Sequence, residues 1–181
     1  MPIEFFNYES EVWFRDGDGQ CVRLSEDRQD VVTMLLDTIE ELYPDAAAAL
    51  AKEYERCKPN IMHFRFRMAL RFCKCNFGAI DRIPDVDDSG KFNFEDVPCP
   101  MRGECRCEGV VCHPKFNHRI SDAEMRVMRL WYDGVSKPEI AERLFLSVHT
   151  VCNHIRRAYE RIGAKDKAEF VRYADRYNLF H

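Results

Sequence analysis

Ser121–Gly163 reads SDAEMRVMRLWYDGVSKPEIAERLFLSVHTVCNHIRRAYERIG, and its punctuation decides how the C-terminal part of the chain folds. Ser121 and Glu124 have the S-x-x-E spacing of a capping box, in which the serine oxygen and the glutamate carboxylate each take a backbone N–H at a helix start. Met125, Met128 and Trp131 give that helix an apolar side, and Gly134, after Asp133, supplies the left-handed residue that ends it. Ser136 opens a second, shorter helix with Pro138 in its first turn, where the missing N–H costs nothing, and with Ile140, Ala141 and Leu144 facing inward. Leu146 and Ser147 make a turn. Ser147 then caps a third helix, whose Val151, Ile155, Ala158 and Ile162 form one stripe before Gly163, and Asp166 opens a fourth with Phe170, Val171, Ala174 and Leu179 on its buried side.

Two short helices joined by a tight turn, the second with a basic outer face, form the helix-turn-helix arrangement that sets one helix in the DNA major groove. With the Val151 stripe turned inward, His149, Asn153 and Arg156 point outward, flanked by Cys152 and Arg157. Arginine can donate two bonds to guanine and asparagine can pair bidentately with adenine, so this face carries residue types suited to base edges.

Over Ile120–Phe180 the chain resembles the LuxR/GerE-type helix-turn-helix domain. The resemblance rests on Ile120-Ser121-x-x-Glu124, Gly134, Ser136-Lys137-x-Glu139-Ile140-Ala141, Leu144, Leu146-Ser147, Thr150-Val151, His154, Ile162-Gly163 and Ala168-Glu169. It implies a four-helix domain that binds double-stranded DNA through its third helix and dimerises through its fourth, here residues 166–178. Carried over by position, the base-facing residues are Cys152, Asn153 and Arg156, with Lys137 and Thr150 near phosphates. Cys152 departs from the family, which usually has lysine there, and Asn178 stands where glycine is common. The full set expected to contact or frame DNA is Lys137, Ser147, His149, Thr150, Cys152, Asn153, Arg156, Arg157 and Lys165. The promoter-reading helix-turn-helix of sigma factors shares the first three helices and is disfavoured by the fourth.

Charge separates the chain into two parts. The total is −4, but residues 119–181 hold 12 Lys plus Arg against 9 Asp plus Glu, or +3, leaving residues 1–118 with 15 against 22, or −7. The C-terminal part can therefore approach a polyanion. A composition of 46% hydrophobic and 32% charged residues fits a globular chain and excludes a disordered one. The apolar runs fall short of a membrane span, and MPIEFFNYES lacks a basic segment followed by an apolar one, so a cytoplasmic location without membrane contact is expected.

In residues 1–72, Glu11–Glu26 holds two β-prone runs around Asp16-Gly17-Asp18-Gly19, predicting a hairpin. Helical patterning follows Ser25, with Val32, Leu35, Leu36, Ile39 and Leu42 on one stripe until Pro44, and strong helix formers run from Asp45 to Cys57. Residues 61–73 fit both a strand alternation and a helix face (Met62, Phe66, Ala69, Cys73), and helix is preferred. The fold predicted is mainly α: this hairpin-and-helix module at 1–72, a cysteine-rich irregular segment at 73–118, and a four-helix domain at 119–181. No alternation of strands and helices suggests a phosphorylatable receiver, which leaves an unknown effector or protein partner for the N-terminal module.

From Cys75 to Asn117 the chain is rich in Pro, Gly, Asp and Cys, and a connection this long needs something besides secondary structure to hold it. Of nine cysteines, Cys73, Cys75, Cys99, Cys105, Cys107 and Cys112 fall in or beside it. In a reducing compartment closely spaced thiols point to metal rather than disulfides. Zinc held by Cys75, Cys99, Cys105 and Cys112, which border the turns, is the preferred reading, with Cys73, Cys107 and His113 as substitutes. An iron–sulfur cluster uses the same ligands, and reduced thiols that pack as small apolar groups are the third alternative. Elsewhere Cys21 is expected buried in a strand, Cys57 and His63 structural, His149 exposed and His154 packed beside the core. Asp85–Asp96, DVDDSGKFNFED, lacks cation-loop spacing and is expected to be a solvated turn. The resulting function is a transcriptional regulator rather than an enzyme, since no thiol is paired with recognisable base and orienting residues. The alternative is an interaction module that retains the helix-turn-helix fold without DNA binding.

Overall fold

Three short strands open the chain in the computed structural model, which describes residues 2–16, 18–88, 90–177 and 179–180. Glu4–Tyr8 (β1), Glu11–Arg15 (β2) and Cys21–Arg23 (β3) form an antiparallel sheet in the order β1-β2-β3. β2 and β3 are the predicted hairpin; Asp16 organises its loop by accepting the N–H of Asp18 at 3.1 Å and of Gln20 at 2.9 Å, while Gly17 lies outside the described residues. β1 is an addition to the predicted pair. It turns into β2 through Glu9 and Ser10, both at positive φ (50° and 67°), a conformation usually signalled by Asn-Gly.

Gln29–Leu42 (α1), Pro44–Glu53 (α2) and Ile61–Asn76 (α3) complete the regular part of the first unit, with a 3-10 turn at Glu55–Cys57. α1 buries Val31, Val32, Leu35, Leu36 and Ile39, the expected stripe, and Pro44 takes the first turn of α2, where it needs no donor. Helix wins over strand at 61–76: Asn60 caps it, and Met68, Ala69, Phe72, Cys73 and Asn76 are buried at helical spacing. Met62 is exposed, so the buried stripe is displaced from the predicted face.

Among the described residues of 77–117 there is no helix or strand, and this segment still carries the centre of the core. Phe72 on α3 lies within ring-contact distance of Phe77, Phe92 and Phe94, at centroid separations of 6.1, 5.4 and 6.0 Å. Phe5 stacks on Phe77 and Tyr43 on Phe92. Aromatic burial thus supplies much of what the missing backbone ladder would have supplied. Asp85–Asp96 is not a wholly solvated turn: Asp85 is buried and accepts the Phe5 N–H at 2.6 Å, while Val86 bridges both Ile3 and Phe92.

The chain divides into two compact units, Met1–Asn117 and His118–His181. In the second, Asp122–Tyr132 (α4), Lys137–Arg143 (α5), Val148–Ile162 (α6) and Lys167–Arg176 (α7) surround Val127, Met128, Ile140, Val151, Ile155, Ala158 and Phe170. Val127 is fully buried, whereas Met125 and Trp131 of the predicted stripe are only partly so. The expected caps are all made, by Ser121, Ser136, Ser147 and Asp166, and Gly163 is left-handed at φ 72°. Asn178 lies outside the described residues. Among the described residues no helix is long and apolar enough to cross a membrane.

Candidate nucleic-acid interface and cysteine cavity

α6 is clamped from its apolar side and leaves its polar side open. Val151, Ile155 and Ala158 are buried, and α6 packs against α4 and α5. Trp131 on α4 donates its indole N–H to the Tyr159 hydroxyl at 2.9 Å, fixing the C-terminal half of α6. Glu124 joins the other end. Its carboxylate accepts the Ser121 N–H at 3.0 Å and meets Arg161 of α6 at 3.3 Å. Burial pushes the Glu124 carboxyl up, but the bonds from Ser121 and the charges of Arg161 and His154 outweigh it and hold the group below its ordinary value. Neither the tryptophan–tyrosine bond nor the Glu124–Arg161 pair follows from helical periodicity, because each joins residues far apart in sequence.

Ser147 is exposed and caps α6 through the Thr150 N–H at 3.0 Å; the two hydroxyls lie 2.8 Å apart. His149, Arg156 and Arg157 are exposed, while Cys152 and Asn153 are half-buried at the same edge. Arg156 has an exposed partner one turn on, Glu160 at 3.5 Å. Such a pair is worth little in water, so exchanging it for another acceptor costs little. His154 is half-buried, with Nδ1 fully enclosed and without a hydrogen-bond partner. Lys137 has its ammonium 5.4 Å over the Trp131 ring, which Lys167 also covers at 4.2 Å. Lys165 is exposed near the start of α7. Phe145, at 95% exposure and φ 54°, is the residue of the α5–α6 turn that sequence analysis passed over. A non-glycine residue in the left-handed region leaves no periodic signal to find.

In the first unit, Cys75, Cys99, Cys105 and Cys112 all line one cavity, together with Lys74, Val97, Arg102 and Glu108. Cys75 comes from the last turn of α3 and the other three from the loop. Burial pushes the Cys75 thiol up to about 12; Arg71 opposes this, and the neighbouring Cys112 and Cys99 add to it. The substitutes do not join them. Cys73 is completely buried and Cys107 nearly so, both in the apolar core, and His113 stands beside Phe94 and 3.9 Å from Asp96. Cys21, expected to be buried, is exposed, and His63 bonds Glu26 at 2.9 Å.

A second cluster was not foreseen. Oxygens of Glu4, Asp81 and Glu95 gather within 4.8 Å of one another. Their bonds are structural: Glu4 accepts the Asp81 N–H at 2.6 Å, and Glu95 accepts those of Gly78 and Ala79 at 2.6 and 2.9 Å. Burial raises the Glu4 carboxyl and takes Asp85 to about 8, with Glu4, Glu95 and Asp81 adding to the shift at Asp85.

No curated protein and no solved structure matches the chain. Residues 118–174, within the C-terminal unit, match the family model described as bacterial regulatory proteins, luxR family. That part of the chain is a luxR-type helix-turn-helix domain, the kind that serves DNA-binding regulators in general.

Proposed function

We propose that the protein is a sequence-specific, double-stranded-DNA-binding transcriptional regulator that sets α6 in the major groove. The observation that carries this reading is the division of α6 itself: Val151, Ile155 and Ala158 are enclosed by α4 and α5, while His149, Arg156 and Arg157 remain exposed along the opposite side. Arg156 and Asn153 read base edges, releasing Glu160 in the case of Arg156. Thr150, Arg157 and Lys165 contact phosphate, and Lys137 reaches it from the start of α5 by leaving the Trp131 ring. Ser147 holds the first turn of α6 in place. Residues 166–178 pair two copies and set the spacing of half-sites. The first unit takes the effector or protein partner.

Selection of duplexes from a random pool by the full chain tests this. A defined motif is expected, and Arg156→Ala weakens binding to it by about 1–3 kcal/mol and relaxes preference at one position. Failure to enrich any motif, or enrichment that Arg156→Ala and Asn153→Ala both leave intact, contradicts the reading and favours an interaction module.

A further inference from the structure

In the loop from Asp96 to Cys112 apolar packing is sparse: its buried residues are Cys107 and Val111 alone. It advances by successive turns, with Gly103 and Gly109 at φ 87° and 70°. Yet this loop and the end of α3 deliver Cys75, Cys99, Cys105 and Cys112 to the same enclosure, and they leave Cys73 and Cys107 in the oily core.

We propose that Cys75, Cys99, Cys105 and Cys112 bind one Zn²⁺ that clasps the 96–112 loop to the last turn of α3. The donor set is that of a closed structural site, four thiolates and no position left for water or substrate. The cavity they line measures about 20 Å³, room for about one water-sized body. A single ion fits there.

Arg71 lies 3.5 Å from the Cys105 sulfur, and Lys74, Arg102 and the acidic Glu108 line the cavity wall. A zinc tetrathiolate carries two net negative charges, and Arg71 offsets part of them in a partly dry setting.

Asn76 prepares the site. Buried beside Cys75, it donates to the Phe72 carbonyl at 2.9 Å and to the Val111 carbonyl at 2.8 Å, and accepts the His113 N–H at 2.8 Å. The last two residues flank Cys112, so one side chain bolts that ligand's backbone to the helix turn carrying Cys75. No three of the sulfurs are gathered as closely as the Glu4, Asp81 and Glu95 oxygens. Loading therefore draws them inward to about 3.8 Å from one another, as Zn–S bonds near 2.3 Å require.

The test uses the full chain purified without a metal-affinity step, and no DNA is needed. Elemental analysis is expected to give about one zinc per chain, lost in Cys99→Ser and in Cys112→Ser and kept in Cys21→Ser and Cys57→Ser. Should the ligand variants fail to fold, the unaltered protein still decides. After zinc removal under reducing conditions, Co²⁺ is expected to give the intense visible absorption and thiolate charge transfer of a tetrahedral tetrathiolate. Chelation is expected to open Cys75, Cys99, Cys105 and Cys112 to alkylation together. A chain without zinc that also fails to take up Co²⁺ as a thiolate complex overturns the proposal. So does brown, iron-containing protein, or zinc that survives the loss of Cys99 and Cys112.

Discussion

The two units are held by partners at very different distances along the chain. In the second, each helix is started by a side chain three residues from the N–H it satisfies: Ser121 for Glu124, Ser136 for Glu139, Ser147 for Thr150 and Asp166 for Glu169. In the irregular half of the first, Asp85 takes the N–H of Phe5, Glu4 that of Asp81, and Asn7 donates to the Phe77 carbonyl, across 80, 77 and 70 positions. The helix starts of one region are specified by near neighbours, the irregular half of the other only once its unit has closed. A lost cap in the second should fray one helix end; a lost tie in the first should release a loop and the strand it is pinned to.

The largest effect is expected at Phe72, the fully buried ring on which Phe77, Phe92 and Phe94 converge. Phe72→Ala is expected to cost about 3–5 kcal/mol, measured by denaturant unfolding, with hydrogen-exchange protection lost through both α3 and residues 77–97. Protection lost in α3 alone would break the comparison. Asn76→Ala comes next. It strands the Val111 carbonyl and the His113 N–H, and about 2–3 kcal/mol is expected, since each buried group left unpaired costs about 1–3 kcal/mol. Ser121→Ala should cost about 1 kcal/mol, with exchange rising only in the first turn of α4; spread into α6 would show that the second unit is less locally specified than its caps imply.

A change of another kind is one of slope. Asp85 titrates near 8 in the native protein against an ordinary value of 3.8, so between those limits the folded chain keeps a proton that the unfolded chain has released. Stability of the first unit is therefore expected to fall as pH rises through that window, and Glu4, also raised, adds in the same direction. Asp85→Asn stays neutral and still offers an oxygen to Phe5, so its stability should vary less between pH 4 and 8. An unchanged slope in Asp85→Asn would place the titration elsewhere.

The same contrast explains what was legible. The four C-terminal helices could be written down from Ser121, Ser136, Ser147, Gly163 and Asp166 because capping is a conversation over three or four residues. On α6 a single stripe was enough to turn His149, Arg156 and Arg157 outward, while Asn153, expected beside them, is half-buried. What periodicity missed was the cross-helix work of Trp131, Tyr159 and Arg161, and the exposed Phe145. In the first unit the α1 stripe was plain, whereas β1 was hidden by a Glu-Ser turn and the aromatic core by a segment whose phenylalanines follow no period. Cys75, Cys99, Cys105 and Cys112 were legible as a set because they border turns, and these are the thiols that line one cavity. Nothing local indicated that Asp85, within an acidic run, would be buried, because its partner is Phe5.

The central claim concerns the open side of α6, and binding of duplex DNA by the full chain across a range of salt concentrations tests it most directly. Affinity is expected to fall linearly on logarithmic axes, by about 0.9 in slope for each phosphate neutralised, and Cys152→Lys, which restores the family's cation, should steepen that slope by about one. Binding that is absent, or that ignores salt and is unmoved by Cys152→Lys, would contradict the account.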